Sequence, residues 1–223
     1  MSDKHKDSKR EEILKAAELE FVAKGYDGAR TMEIAQRAGV GHPLLHYHFK
    51  TKGELFKQVV QGKMGLLRKA VVVSWEEANG NFIEKLSKLI GSHFDFVKEN
   101  ADYLRFQFQE MERHPELFLE PTNHANSELK IVALSLQQEL DMAIKKGEIS
   151  PIEAQTLIED IIALNLFFLI AMPTLKKIEH CRYDNNYLED RKQENIRLII
   201  NRLTKGDNKD FELSPDYPAN SNH

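Results

Sequence analysis

Residues 31–50 read TMEIAQRAGVGHPLLHYHFK, and the reading of this stretch governs the rest of the chain. Thr31 stands before a short apolar-periodic run as an N-cap, and Gly39 ends that run in a turn. Pro43 falls in the first turn of a second short run, where its missing amide is no loss. Two short helices joined by a Gly-containing turn make a helix-turn-helix. Such a pair needs a small residue where the helices cross, supplied by Ala35, and an apolar anchor facing back from the second helix, supplied by Leu45. Ile34, Val40 and Phe49 extend the small core, backed by the Phe21 face of the preceding helix.

Outward from this motif the chain keeps helical period, and no segment alternates like a strand. Ser8-x-x-Glu11 is a capping-box pattern opening a first helix, with Ile13, Ala17 and Phe21 on one face and Gly25 as its stop. Thr51-x-x-Glu54 opens a long helix to about Glu77, broken by Asn79-Gly80-Asn81. Helices follow over 82–98, 101–113 and 128–146. His114-Pro115 stops the second of these, and Gly147 ends the third. Ser150-Pro151 opens the next helix, to about Met172, and 179–186 reads as a loop. Ile196, Ile199, Ile200 and Leu203 mark a last helix, and residues 206–223 form a polar tail with two prolines.

Composition narrows the class. Hydrophobic residues make up 41% and charged residues 30% of 223, which suits a globular chain with a real core. The net charge is only −4, but residues 1–60 carry 8 Lys and 3 Arg against 9 acids, a local +2 on an acidic remainder. That split suits a DNA-facing end. A single cysteine, Cys181, excludes an internal disulfide and fits a reducing, cytoplasmic setting. The polar start MSDKHKDSKREE lacks the apolar region of a signal peptide. The apolar run 161–172 is shorter than the roughly 20 residues a bilayer span requires, so no membrane partner is expected. GxSxG, P-loop, HExxH and GxGxxG patterns are all absent, and with them the reading as an enzyme. His42 and His46 are an i, i+4 pair without a third ligand, so neither a metal nor a cofactor is expected.

Residues 25–56, GYDGARTMEIAQRAGVGHPLLHYHFKTKGELF, resemble the N-terminal domain of tetracycline-repressor (TetR) family regulators. The resemblance rests on Gly25, Tyr26, Thr31, Ile34, Ala35, Ala38, Gly39, Val40, Leu45, Phe49, Lys50, Lys52 and Leu55, and covers roughly residues 8–60. Gly41, His46 and Gly53 depart from the family pattern, where Ser or Thr, Tyr, and a strong helix former are usual. The resemblance implies an all-α fold. Its N-terminal three-helix helix-turn-helix DNA-binding domain covers 1–52, a C-terminal helical ligand-binding and dimerisation domain covers 53–205, and a tail covers 206–223.

The function implied is that of a ligand-responsive repressor, binding double-stranded pseudo-palindromic operator DNA as a homodimer. The rival is an architectural DNA-binding protein that answers to no ligand. A recognition helix over His42–His48 would enter the major groove, with His42, Pro43, Leu44 and Tyr47 as base-edge candidates. Thr31, Tyr47, His48 and Lys52 match family positions that meet phosphates.

An effector pocket is expected among the later helices, with aromatic walls from Phe94, Tyr103, Phe106, Phe167 and Phe168. His93, Gln107, Glu110 and Asn165 are its few polar candidates, which favours a small apolar or aromatic effector with one polar anchor. His93 lies on an apolar stripe, where a satisfied core histidine is the competing reading. The dimer interface is expected on the last two helices, through Ile158, Ile161 and Ile162 and through Ile196, Ile199, Ile200 and Leu203.

Overall fold

Capping and glycine chemistry set the ends of the helices. In the computed structural model, α1 spans Ser2–Gly28, α2 Thr31–Arg37, α3 His42–His48 and α4 Lys52–Glu76. They are followed by α5 (Phe82–Glu99), α6 (Ala101–Arg113), a 3₁₀ turn (Pro115–Leu117), α7 (Asn123–Lys145), α8 (Ala154–Glu179) and α9 (Asn185–Thr204). The structure describes residues 2–118, 123–179 and 184–204, and side chains over 8–118, 133–178 and 184–204. All regular elements among the described residues are helical. Cys181 and the polar tail 206–223 lie outside them.

Several ends differ from the sequence reading. The first helix reaches back beyond Ser8, whose hydroxyl donates to Glu12 Oε1 (3.4 Å) instead of capping. Thr31 is the first residue of α2, not its cap; Arg30 holds that place without a side-chain bond. The break at 79–81 is a full capping box: Asn81 accepts from the Glu84 amide, and Glu84 reaches back to the Asn81 amide, each at 3.0 Å. The helix after Pro151 begins at Ala154 and passes Met172 to Glu179 with Pro173 inside it. Proline withdraws the amide that would meet the Leu169 carbonyl. Next to this gap, Arg105 of α6 donates Nε–H to the Ile170 carbonyl (3.3 Å), so packing against α6 carries α8 through.

Between α2 and α3 the turn is a Schellman motif. Gly39 sits at φ 62°, the Val40 amide donates to the Ala35 carbonyl (3.0 Å), and the Gly39 amide donates to Gln36 (3.1 Å). Gly25 breaks α1 at φ 73°, ψ 170°, a conformation that is glycine's own. A Cβ there would also lie 3.1 Å from Glu110 Oε1 of α6. Gly25→Ala is therefore expected to lower stability by about 2 kcal/mol. Denaturant unfolding checks this, and an unchanged midpoint would contradict it.

The first three helices are not hung from the body by a linker. One apolar core runs from Ile13, Phe21, Ile34 and Leu45 through Leu55 and Phe56 of α4 to Phe94, Phe106 and Leu169. Phe56 is its hub, with ring centroids 5.2 Å from Phe21, 6.0 Å from Phe106 and 5.7 Å from Phe118. A second core at the far end joins Leu86, Ile90, Leu140, Leu157, Ile161, Ile199 and Leu203 across α5, α7, α8 and α9. Along the α5–α8–α9 contact lies a buried polar chain. The Asn165 amide donates to the Ile90 carbonyl and to His93 Nδ1 (3.1 Å each), while Asn195 donates to Asn165 Oδ1 (2.9 Å) and to the Leu164 carbonyl (3.1 Å).

Candidate nucleic-acid interface

The recognition face is built by elimination of what α3 must bury. Leu45 and Phe49 point into the core of the head, and Pro43, Leu44, His46 and Tyr47 are left outside. Tyr47 is 60% exposed. Lys50, just past the helix, places its ammonium 5.7 Å from the Tyr47 ring centroid. The face therefore presents an aliphatic group, a phenol, an imidazole and a cation on one short rigid helix. These groups suit thymine methyls, base edges and phosphates respectively.

Four expected contact residues are turned inward or engaged within the chain. His42 is half-buried, its Nε2 lies 3.0 Å from Thr31 Oγ1, and its ring meets that of His46 edge-on at 4.4 Å. The Thr31 hydroxyl is thus engaged in joining the start of α2 to the start of α3. His48 turns inward beside Tyr47 and Phe49, with its Nε2 buried and unpartnered. The Lys52 ammonium donates to the carbonyls of Asp27 and Ala29 (3.3 Å each) and lies 4.6 Å from the Tyr26 ring centroid, stapling the α1–α2 corner. Among the described residues no group of three metal-ligating side chains forms.

Sequence reasoning missed Arg30, Met32 and Lys50. Met32 is 70% exposed and, with Arg30, Gln36 and His42, lines a hollow of about 540 Å³ between α2 and α3. A signal existed: Met32 is an apolar residue off the Ile34, Ala35, Ala38 stripe of its own helix.

Most residues expected around an effector have packing or hydrogen-bond partners of their own among the described residues. His93 and Asn165 bond to each other in the polar chain, and burial pushes the His93 imidazole down to about 4. Phe94, Tyr103 and Phe106 are core residues. Gln107 and Glu110 bury one oxygen each with no partner, on the same face of α6 as the equally unpartnered Tyr103 hydroxyl. Phe168 packs against Tyr187 (5.8 Å), while Phe167 is 75% exposed and lines no interior space. A crevice of about 230 Å³ opens elsewhere, between α4, α5 and α7, lined by Val71, Val72, Trp75, Leu89, Ser135 and Leu136.

The expected interface residues also divide. Ile161, Ile199 and Leu203 are buried in the chain's own second core. Ile158, Ile196 and Ile200 are half-buried, and Ile162 is exposed. Phe167 of α8 and Leu198 of α9 are exposed as well. The helix on the apolar run is longer than the sequence reading allowed: Ala154–Ile178 is long and apolar enough to cross a membrane.

Residues 13–59 match the family of bacterial regulatory proteins of the tetR type. The chain is 34% identical over 104 residues to the HTH-type transcriptional activator FasR of Mycolicibacterium smegmatis, a match spanning 47% of each chain, so it covers about half of that relative's length. It is 26% identical over 160 residues to the HTH-type transcriptional regulator YdgC of Bacillus subtilis, across 70% of this chain and 76% of YdgC. Its fold is similar to that of the fatty acid degradation regulator FadR from Bacillus halodurans, with a TM-score of 0.63, 24% identity, and coverage of 86% of this chain and 94% of FadR. Residues 13–59 thus carry a helix-turn-helix of the tetR type, and the all-helical body behind it is similar in fold to that of FadR.

Proposed function

We propose that this chain binds a pseudo-palindromic operator as a homodimer, with α3 in the major groove. A head over residues 1–52 reads DNA, and a body over 53–205 dimerises and takes up a small apolar or aromatic effector. The observation that carries the reading is the outward set on α3, Leu44 and Tyr47, with Lys50 beside Tyr47. In this reading Pro43, Leu44 and Tyr47 meet base edges, and Lys50 and the start of α2 meet phosphates. Thr31 and His42 act one step behind, by fixing α2 to α3. In this reading the effector enters at the crevice by Trp75. A cytoplasmic location follows from a DNA target.

Footprinting on the protein's own genome tests the first part. Protected two-fold sites are expected, and their absence would sink it. Leu44→Ala is expected to relax base preference at particular positions by ~1–3 kcal/mol. Lys50→Ala is expected to weaken all sequences alike and to flatten the salt slope by about one. The reverse pattern would remove α3 from the role of reader. Whether binding represses or activates follows from operator position relative to the promoter.

A further inference from the structure

Where α6 ends, one histidine of the body faces two carboxylates on opposite sides. His114 Nε2 lies 3.1 Å from Asp27 Oδ2 in the α1–α2 corner of the head, and Nδ1 lies 3.2 Å from Glu116 Oε1 in the 3₁₀ turn. A neutral imidazole carries one N–H, so one nitrogen would set a lone pair against a carboxylate oxygen. Only the imidazolium donates to both. The ring is held in place by its edge contact with Tyr26 (5.1 Å, 62°) and by the His114 amide, which donates to the Glu110 carbonyl (2.7 Å). The side chain is 19% exposed.

The surrounding charges come from two elements. Lys52 of α4 lies on the Tyr26 ring, Lys57 acts on the Tyr26 hydroxyl from further along α4, Glu110 lies one turn back on α6, and Arg113 directly precedes His114. Partial burial works against charging His114, but the two carboxylates outweigh it and hold its pKa above the ordinary value.

We propose that protonated His114 is a positioning residue that latches the DNA-reading head to the body, and so makes operator binding respond to pH near neutrality. The coupling to DNA rests on the operator-binding reading above, whereas the latch itself does not. The folded-state shift is upward. The latch is therefore complete below the ordinary histidine value of ~6.5 and is lost as pH rises through the raised value. Both carboxylates are largely exposed, so solvent and salt keep the effect to that of a surface pair.

Two measurements on the full chain decide it. The first is NMR titration of the imidazoles without DNA. His114 is expected to titrate above ~6.5, and Asp27→Asn to lower its midpoint. A His114 midpoint at or below ~6.5, or one indifferent to Asp27→Asn, overturns the latch. The second is affinity for a duplex obtained by in vitro selection, at about pH 6 and about pH 8.5. Because His42, His46 and His48 also lie in the head, the readout is wild type against His114→Gln. Wild type is expected to lose an additional two- to fivefold, roughly, at the higher pH, since a head already held in place gives up less freedom on binding. Equal pH profiles for the two proteins overturn the coupling to DNA. An Asp27-dependent titration with no duplex bound at any pH overturns the operator reading and leaves the latch supported.

Discussion

Phe167→Glu is expected to give a folded monomer that has lost operator binding. Phe167 is the most exposed large apolar side chain of the body, and it lies on a helix whose apolar window is only 22% buried within the chain. An apolar face of that size needs a partner. In the proposed homodimer a second copy covers it and sets two α3 helices about one DNA turn apart, roughly 34 Å, on the proposed two-fold operator. Ile162 of α8 and Leu198 of α9 are also exposed. A charge there costs the fold little, because the side chain already stands in water. It costs the dimer heavily, because an unpaired carboxylate would be buried at the contact. Sedimentation at micromolar concentration should show a monomer with native helicity. Operator affinity should fall roughly a thousandfold, to the level of random duplex. Ile161→Glu, one helical turn and a half away, is expected instead to unfold the chain, because Ile161 belongs to its own core. A Phe167→Glu protein that still sedimented as a dimer would remove α8 from the interface.

The second large effect concerns the polar chain between α5, α8 and α9. Asn165→Leu keeps the branching of the side chain but leaves His93 Nδ1 without its donor and takes from the Asn195 amide one of its two acceptors. Buried polar groups stripped of partners cost more than the bonds they made, here about 3 kcal/mol in total. Denaturant unfolding measures it, and a loss below ~1 kcal/mol would mean that the chain of amides is not structural.

The same site sets an acid limit. The His93 imidazole is held neutral down to about 4, while in the unfolded chain it takes up a proton at its ordinary value of ~6.5. Its contribution is intact above ~6.5 and is lost as pH falls toward 4, by about 3 kcal/mol in all. His114 has the opposite sign, so the two histidines are distinguishable in one pH series.

The helix-turn-helix was legible in residues 31–50 because it is a local structure. Gly39 in the left-handed region, Ala35 at the crossing and Leu45 as anchor are each dictated by neighbours within twenty positions of the chain. The ends of α4 and α6 were legible for the same reason, since caps and breakers act within one turn. Where that local logic met a tertiary contact it failed. Pro173 reads as a stop, yet α8 continues past it against α6.

Site residues divide along the same line. Periodicity identifies an apolar stripe but not what covers it. Ile161, Ile199 and Leu203 look like Ile162 and Phe167 in sequence, and only the packing of α5 and α7 sends the first three inside. Outward groups on α3 follow from its period, but the engagement of His42 by Thr31 and of Lys52 by Asp27 and Ala29 depends on how α1, α2 and α4 converge. His114 meets Asp27 across 87 positions of chain. Hydrogen bonds between residues so far apart in sequence exist only once the fold has brought their elements together, and the sequence therefore carries the recognition helix openly and the latch not at all.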